Sequence, residues 1–142
     1  MMRILVWLLL AAAVLPSAAL EVLRAQDVYW VSGGVSADER DEMIMALPDH
    51  NLKVLTAAER SGAFLAGAQV VVRDAGGRTV FETLLDGPWL LARLPPGNYQ
   101  LIATLGGKSQ ARAFTAPASG RREIFLYWAA PEVETLPKGV VQ

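Results

Sequence analysis

The side chains of this chain that could carry out chemistry are few. His50 is the only histidine and follows Asp49, between a predicted helix and a predicted strand. A catalytic triad needs a nucleophile, a base and an orienting group brought together by the fold, and adjacent residues rarely have that geometry. The chain also lacks a Gly-x-Ser-x-Gly elbow, so we interpret His50 as a solvated loop residue. The alternative is a small hydrolase that combines His50 with a nearby carboxylate.

An acidic cluster, Asp38, Glu39, Asp41 and Glu42, could be interpreted as a metal or acid–base site. No second set of ligands lies nearby in the sequence. Carboxylates at the start of a helix are stabilised by the helix dipole, which explains them without a metal. The chain contains no cysteine, which excludes thiolate catalysis and cysteine-ligated metals. We therefore predict no catalytic residue, no metal site and no cofactor.

Aromatic side chains are the remaining candidates for a binding role. Exposed aromatic rings on a β-sandwich can stack on a sugar or pack against a protein partner. Trp89 and Tyr99 are expected in the core. Trp30, Tyr127 and Trp128 are the candidate partner-binding residues.

The N-terminus has the three parts of a secretory signal. Arg3 provides a positive start, residues 4–15 form an uncharged apolar run, and small residues at 16–19 suit cleavage. A retained membrane anchor is the alternative, but the uncharged stretch over residues 4–20 is barely long enough to span a membrane and contains Pro16 and Ser17. The sequence predicts a signal peptide over residues 1–19, export to the periplasm and no stable membrane anchor after cleavage.

The composition of the chain bears on nucleic-acid binding, on the number of hydrophobic cores and on disulfides. The net charge of −1 gives no reason to expect nucleic-acid binding, which requires neutralisation of phosphates. Roughly 120 residues after cleavage suit one hydrophobic core. Because an exported chain without cysteine has no disulfides, packing must stabilise the fold.

Residues 20–62 have the pattern of a β-α-β segment. Strands are predicted over 27–32 and 52–57, and a helix over about 37–47. Ser36 and Glu39 form a capping box, in which each side chain can bond the backbone N–H of the other residue. Pro48 ends the helix.

Residues 63–128 are typical of a β-sandwich, with short strands and Gly or Pro turns at intervals of about ten residues. We predict strands near 66–73, 78–85, 89–93, 99–105, 109–115 and 123–128. The last strand is apolar on both faces, which suggests coverage by the N-terminal segment. Residues 129–142 have no periodicity and are predicted to be a disordered tail.

Two turns are predicted from residue types. In Pro95-Pro96-Gly97-Asn98, Pro96 and Gly97 suit the central positions of a type II turn. Gly106-Gly107 suits either a two-residue hairpin or a longer, bulged loop. The longer loop would align Ala111 and Ala113 with the apolar face, so we favour it.

The segment 67–115 resembles the carboxypeptidase regulatory-like domain, a transthyretin-like (prealbumin-like) β-sandwich. The residues that carry the resemblance are Gly67, Ala68, Val70, Val72, Asp74, Gly77, Arg78, Val80, Gly87, Trp89, Leu91, Leu94, Pro95, Pro96, Gly97, Tyr99, Leu101, Ala103 and Gly107. The Leu-Pro-Pro-Gly-x-Tyr element is fairly specific for that fold. The chain departs from the pattern where Asp86 adjoins Gly87.

The resemblance implies a mainly β (α+β overall) architecture: an antiparallel sandwich of about seven strands over 63–128. The whole chain is also similar to small exported proteobacterial proteins that carry this domain, which implies a periplasmic location. No zinc-peptidase ligand set is present, so no peptidase activity is implied. The expected function is non-catalytic binding of an envelope protein or glycan. A dimeric carrier of small ligands is the other alternative.

Overall fold

A computed structural model describes residues 23–25 and 27–129 of the 142-residue chain. The predicted signal peptide lies outside these residues, as does the predicted tail from residue 130 onwards. The described part contains strands β1 to β9, one α-helix, α1, and a short 3₁₀ helix. Their bounds are Leu23–Ala25 (β1), Val28–Gly33 (β2), Ala37–Ala46 (α1), Leu47–Asp49 (the 3₁₀ helix), Leu52–Ala58 (β3), Gln69–Asp74 (β4), Thr79–Leu84 (β5), Trp89–Arg93 (β6), Gly97–Leu105 (β7), Lys108–Ala116 (β8) and Arg122–Trp128 (β9).

The helix begins where the capping residues predict. The backbone N–H of Glu39 donates to the Ser36 hydroxyl at 3.1 Å. The Glu39 carboxylate accepts from the backbone N–H of Gly34 at 2.6 Å, and not from Ser36 as the capping box predicts. Gly33 leaves room for this carboxylate, because a Cβ at Gly33 would overlap the Glu39 oxygen. The two glycines therefore let the helix start close to the end of β2.

The strands form two sheets that face each other. One sheet has five strands in the order β1-β2-β6-β3-β9, and the other has four in the order β5-β4-β7-β8. All pairings are antiparallel except that of β3 with β9, which is parallel. The prediction of a mainly β chain with one helix is confirmed. The sheets of the described residues contain nine strands, where about seven were expected: six lie within 63–128, and β1, β2 and β3 share a sheet with β6 and β9.

The main core lies between the two sheets. It takes the inward residues of both, for example Leu52 and Val54 from the first sheet and Val70 and Val72 from the second, all fully buried. A second, smaller core lies on the outer face of the five-stranded sheet, where Met43 of α1 packs with residues of β2 and β6. The molecule thus has three layers on the side of α1 and two elsewhere.

The Gly106-Gly107 turn differs from the favoured prediction. It is a two-residue hairpin that pairs Leu105 with Lys108, and both glycines have positive φ, +57° and +77°, as a type I′ turn requires. The bulged loop was the wrong choice because β8 is an edge strand. Its polar side chains on the core-facing side lie at the margin of the sandwich, so they need not enter the core.

The Leu-Pro-Pro-Gly element also departs from the predicted type II turn. Gly97 has φ +156°, whereas the second central residue of that turn has about +80°. Gly97 instead begins β7 and pairs with Ala116. Its conformation lies in a region that is almost exclusive to glycine, so the requirement for glycine remains although the turn type was wrong.

Candidate functional site

Three aromatic side chains on the outer face of the five-stranded sheet are about half exposed. Phe64 is 50% exposed, Phe125 48% and Tyr127 47%. Soluble proteins bury most rings of this size, and a cluster of exposed ones marks an interaction surface. We call these three residues the aromatic face.

The strand register places the aromatic face around a small central residue. Ala57 of β3 pairs with Tyr127 on one side and with Phe64 on the other. Neighbouring strands are about 4.8 Å apart, so the Cα atoms of Phe64 and Tyr127 lie roughly 10 Å from each other. One row along, Leu55 pairs with Phe125. The floor between the rings is therefore apolar, formed by Leu55 and Ala57.

The aromatic face is open on the side of β9 because α1 covers only part of the sheet. On the other side, the Arg40 guanidinium of α1 lies over the Phe64 ring, 5.6 Å from its centroid. The cluster beneath the helix consists of Val31, Met43, Trp89 and Leu91, which belong to β2, α1 and β6. β9 lies beyond β3 at the edge of the sheet. The prediction that β9 is covered on both faces is therefore wrong: Ile124, Leu126 and Trp128 are buried, but Phe125 and Tyr127 are not.

The backbone of β9 also presents hydrogen-bonding groups at the edge of this surface. Arg122 donates its N–H to Asn51, and the Trp128 carbonyl accepts from Glu59. The even-numbered residues of β9 therefore bond towards β3. The backbone groups of Glu123, Phe125 and Tyr127 point to the opposite edge, which pairs with no strand in the described part of the chain and where a further strand can pair. The Gln110 side chain donates to the Tyr127 carbonyl and occupies one position of that edge.

Two of the three predicted binding aromatics lie in the core. Trp30 is 7% exposed and stacks on Phe81 of the opposite sheet, with ring centroids 4.7 Å apart. Trp128 is 4% exposed, and its indole N–H donates to the Lys108 carbonyl at 3.0 Å. Burial removes both from any exposed binding surface of this chain. Tyr127 is the one predicted residue that is exposed.

Phe64 and Phe125 were missed by the sequence analysis. Phe125 lies on the same face of β9 as Glu123 and Tyr127, whereas Ile124 and Leu126 lie on the other face. Because alternate residues of a strand share one face, the charged Glu123 was the signal that could have identified Phe125 as exposed. Phe64 lies in a connection before β4 and had no comparable signal.

A second feature, which we call the basic groove, is an open cavity of about 700 Å³ at one end of the five-stranded sheet. It lies between the 3₁₀ helix, the end of β6 and the β8–β9 loop. Its charged or titratable lining residues are His50, Arg93, Arg121, Arg122 and Glu123. Arg121 and Glu123 form an ion pair of 3.4 Å.

His50 lines this groove, and one of its ring nitrogens contacts the end of α1. Its Nδ1 lies 2.7 Å from the Ala46 carbonyl oxygen. A carbonyl only accepts, so Nδ1 carries the proton in this contact. Glu123 lines the same groove, yet among residues 27–129 the one side-chain ion pair is Arg121 with Glu123. The fold thus brings His50 and a carboxylate into one groove without a bond between them.

The acidic residues at the start of α1 do not converge on a metal. Within the described part of the chain, no group of three or more His, Cys, Asp or Glu side chains has the geometry to bind one. Asp38 and Glu39 lie in the first turn of the helix, where the dipole favours negative charge.

Among the described residues, Tyr99 is the titratable residue whose pKa clearly differs from its ordinary value. Its hydroxyl donates to the Pro95 carbonyl at 2.6 Å, next to the Leu-Pro-Pro-Gly element. Burial raises the pKa of Tyr99 above its ordinary value, and the nearby Asp74 carboxylate raises it further. A phenol that stays protonated beside a carbonyl is a structural hydrogen-bond donor.

Comparison with known proteins assigns no family. No family model matches the chain, and no curated protein matches it. Among the described residues, no helix is both long and apolar enough to span a membrane.

Proposed function

We propose that this chain is a non-catalytic binding module of the bacterial cell envelope that recognises a protein partner through the aromatic face. The observation that carries the proposal is the half-exposed cluster of Phe64, Phe125 and Tyr127 over an apolar floor. Aromatic side chains of this kind are enriched in the centres of protein interfaces.

The surroundings of the aromatic face favour a protein over a glycan. Sugar sites combine a ring that stacks with convergent polar groups that fix the hydroxyls. Here the floor consists of Leu55 and Ala57, which have no polar side-chain atoms. Instead, apart from the Tyr127 carbonyl that Gln110 occupies, the edge of β9 has backbone donors and acceptors that pair with no strand among the described residues, which suit an added strand from a partner.

The proposed class is a carboxypeptidase regulatory-like, transthyretin-like sandwich in the periplasm. The two packed sheets and the placement of the resembling residues Val70, Val72, Leu101 and Ala103 in the core support this class. The N-terminal apolar run and the absence of cysteine support export of a chain that folds without disulfides.

A capture experiment tests the proposed function. The tagged full chain is expressed with its N-terminal segment, crosslinked in envelopes and purified, and the enriched proteins are compared with those of a Phe125→Ala/Tyr127→Ala variant. We expect the double substitution to reduce enrichment of a specific protein at least roughly tenfold, as for interface anchors.

Leu84→Ala is the matched control, because Leu84 is 59% exposed on the other sheet. This variant should capture the partner as well as the native chain does. Equal enrichment by all three chains would contradict the proposal. Binding of soluble envelope glycans that is lost on the same double substitution would replace the protein partner with a glycan.

A further inference from the structure

The outer edge of β9 offers a backbone stretch of defined length. The backbone groups of Glu123, Phe125 and Tyr127 point away from β3, and β9 pairs with no second strand among the described residues. The Gln110 side chain occupies the Tyr127 carbonyl. The groups that face a partner are therefore the N–H and C=O of Glu123 and Phe125 and the N–H of Tyr127, which suit an added strand of about five residues. We call this stretch the β9 edge.

The side chains of an added strand would alternate between two environments, one on each face of the sheet. On the outer face they would lie beside Phe125 and Tyr127, which are about half exposed. Aromatic rings pair favourably with β-branched or aromatic side chains on a neighbouring strand. The outer face of the β9 edge therefore favours an apolar side chain at every second position of a partner segment.

On the inner face, an added strand would meet β8 of the opposite sheet. Phe114 and Ala116 of β8 lie in the main core. Because alternate residues of a strand share one face, Gln110 and Arg112 lie on the same face of β8 as these two. They are at the margin of the sandwich, where Arg112 is exposed. The inner face of the β9 edge is therefore bordered by a positive charge.

Gln110 connects that charge to the backbone of β9. Arg112 Nη2 donates to the Gln110 side-chain oxygen at 3.3 Å, and the amide nitrogen of the same glutamine donates to the Tyr127 carbonyl. In the described part of the chain this guanidinium makes one further bond, from Nη1 to the Ala111 carbonyl at 3.0 Å. Three of its five donors remain. They lie one side chain away from the backbone groups that a partner would pair with, and arginine binds carboxylates strongly.

We propose that the partner adds to the β9 edge a short extended segment in which apolar and acidic residues alternate. This inference rests on the proposed function, and it names the part of the partner that binds. Residues opposite Phe125 and Tyr127 share the outer face in either strand direction, so they are apolar. The residue between them points to the inner face, towards Arg112, and is acidic. The sequence of the segment is therefore apolar-acidic-apolar at its centre.

The test is a two-dimensional NMR titration of the full chain with acetylated and amidated peptides. The first peptide, Ser-Val-Glu-Val-Ser, has the proposed alternation in both directions. We expect saturable shifts of the backbone N–H groups of residues 123, 125 and 127 and of the Gln110 side-chain amide. The peptide Ser-Val-Lys-Val-Ser should bind roughly fivefold more weakly, because Arg112 repels its central charge.

Two controls separate the contributions of charge and backbone. Arg112→Gln should abolish the difference between the two peptides, whereas Arg73→Gln, which removes an exposed charge on β4 of the four-stranded sheet, should retain it. A third peptide carries N-methyl groups on the three central residues of the first. It keeps every side chain but lacks the backbone donors of an added strand, so it should produce no saturable shifts.

Each outcome decides the proposal. Equal binding of the Glu and Lys peptides, unchanged binding of the N-methylated peptide, or no saturable shift at the β9 edge would overturn it. Capture of the envelope partner distinguishes this inference from the proposed function. Capture that is weakened in Arg112→Gln but not in Arg73→Gln supports the alternating segment. Capture that is lost in Phe125→Ala/Tyr127→Ala and fully retained in Arg112→Gln leaves the proposed function standing and refutes this inference.

Discussion

The outer face of the five-stranded sheet has two halves that differ in the burial of their side chains. In the half formed by β2 and β6, Val31, Trp89 and Leu91 are buried beneath Met43 of the helix. In the other half, Phe125 and Tyr127 of β9 are about half exposed. Both halves carry large apolar side chains at outward positions, so residue type does not distinguish them. The same pattern produces core where a second layer exists and an interaction surface where it does not.

The size of the helix explains the boundary between the halves. α1 has ten residues, which corresponds to about 15 Å of length and 10–12 Å of diameter. Strands spaced about 4.8 Å apart make a five-stranded sheet roughly 19 Å across between its outer strands. One short helix therefore covers about two or three strands and leaves the remainder exposed.

The largest expected effect is in the covered half. Met43 is fully buried and is the one buried side chain of α1. Met43→Ala should reduce the free energy of unfolding by about 3 kcal/mol, because it removes buried methylene groups and leaves a cavity. Urea denaturation followed by tryptophan fluorescence measures the loss. A change below about 1 kcal/mol would show that the helix contributes little to the covered half.

A second test concerns the glycine contact beneath the helix start. A Cβ at Gly87 would overlap the backbone carbonyl of Gly33, and backbone cannot move as a flexible side chain does. Gly87→Ala should destabilise the chain by roughly 2 kcal/mol through overpacking. Gly62→Ala is the comparison, since nothing lies within 4 Å of a Cβ at Gly62 and only its positive φ of +67° is strained. Equal melting temperatures for Gly87→Ala and the native chain would refute the close contact.

In the uncovered half, a substitution should weaken binding of the partner while reducing the free energy of unfolding only slightly. Phe125→Ala should cost less than about 1 kcal/mol in the free energy of unfolding, because a half-exposed ring loses little burial. The same substitution should weaken capture of the partner. A loss of stability as large as that of Met43→Ala would mean that Phe125 belongs to the core, and the division of the sheet face would no longer hold.

The smallest expected effect on stability concerns Tyr99. This residue lies in the four-stranded sheet and is a reference for substitutions on the outer face of the five-stranded sheet. Its raised pKa means that the folded state holds the phenolic proton more tightly than the unfolded state does. The resulting stability is fully present below the ordinary tyrosine pKa of about 10 and is lost as the pH rises through the raised value. Urea denaturation at pH 9 to 11 should show this decline, with a shallower slope in Tyr99→Phe. Met43→Ala and Phe125→Ala should retain the native slope, and an altered slope in either would couple Tyr99 to the outer face.

Strand positions were predictable because they depend on local information. The predicted strand over 89–93 matches β6 to the residue, and the predicted strand over 27–32 is shifted by one from β2. Ser36 identified the helix start, since its hydroxyl satisfies a backbone donor three residues away. Turn geometry at Gly97 and the Gly106-Gly107 hairpin was predicted less well, because each depends on the neighbouring strand as well as on the turn residues.

The two candidate sites depend on contacts between residues distant in sequence. Asn51 bonds Leu94, 43 residues away, and Pro117, 66 residues away, and no local pattern marks it as the link between the segments that follow β6 and β8. Alternation along β9 places Trp128 on the same face as Ile124 and Leu126, but Trp30 could not be assigned to the core by alternation alone. Its burial depends on which residue the opposite sheet places against it, and that residue is Phe81.

Local preferences and the period-2 alternation of apolar side chains were sufficient to indicate a small, mainly β fold with one capped helix. They could not indicate that β9 pairs in parallel with β3 at the sheet edge, nor that the helix stops short of it. Those features arise from long-range packing, in which each element lies where the remaining apolar surface is largest. For that reason the aromatic face and the basic groove became visible only once the two sheets were assembled.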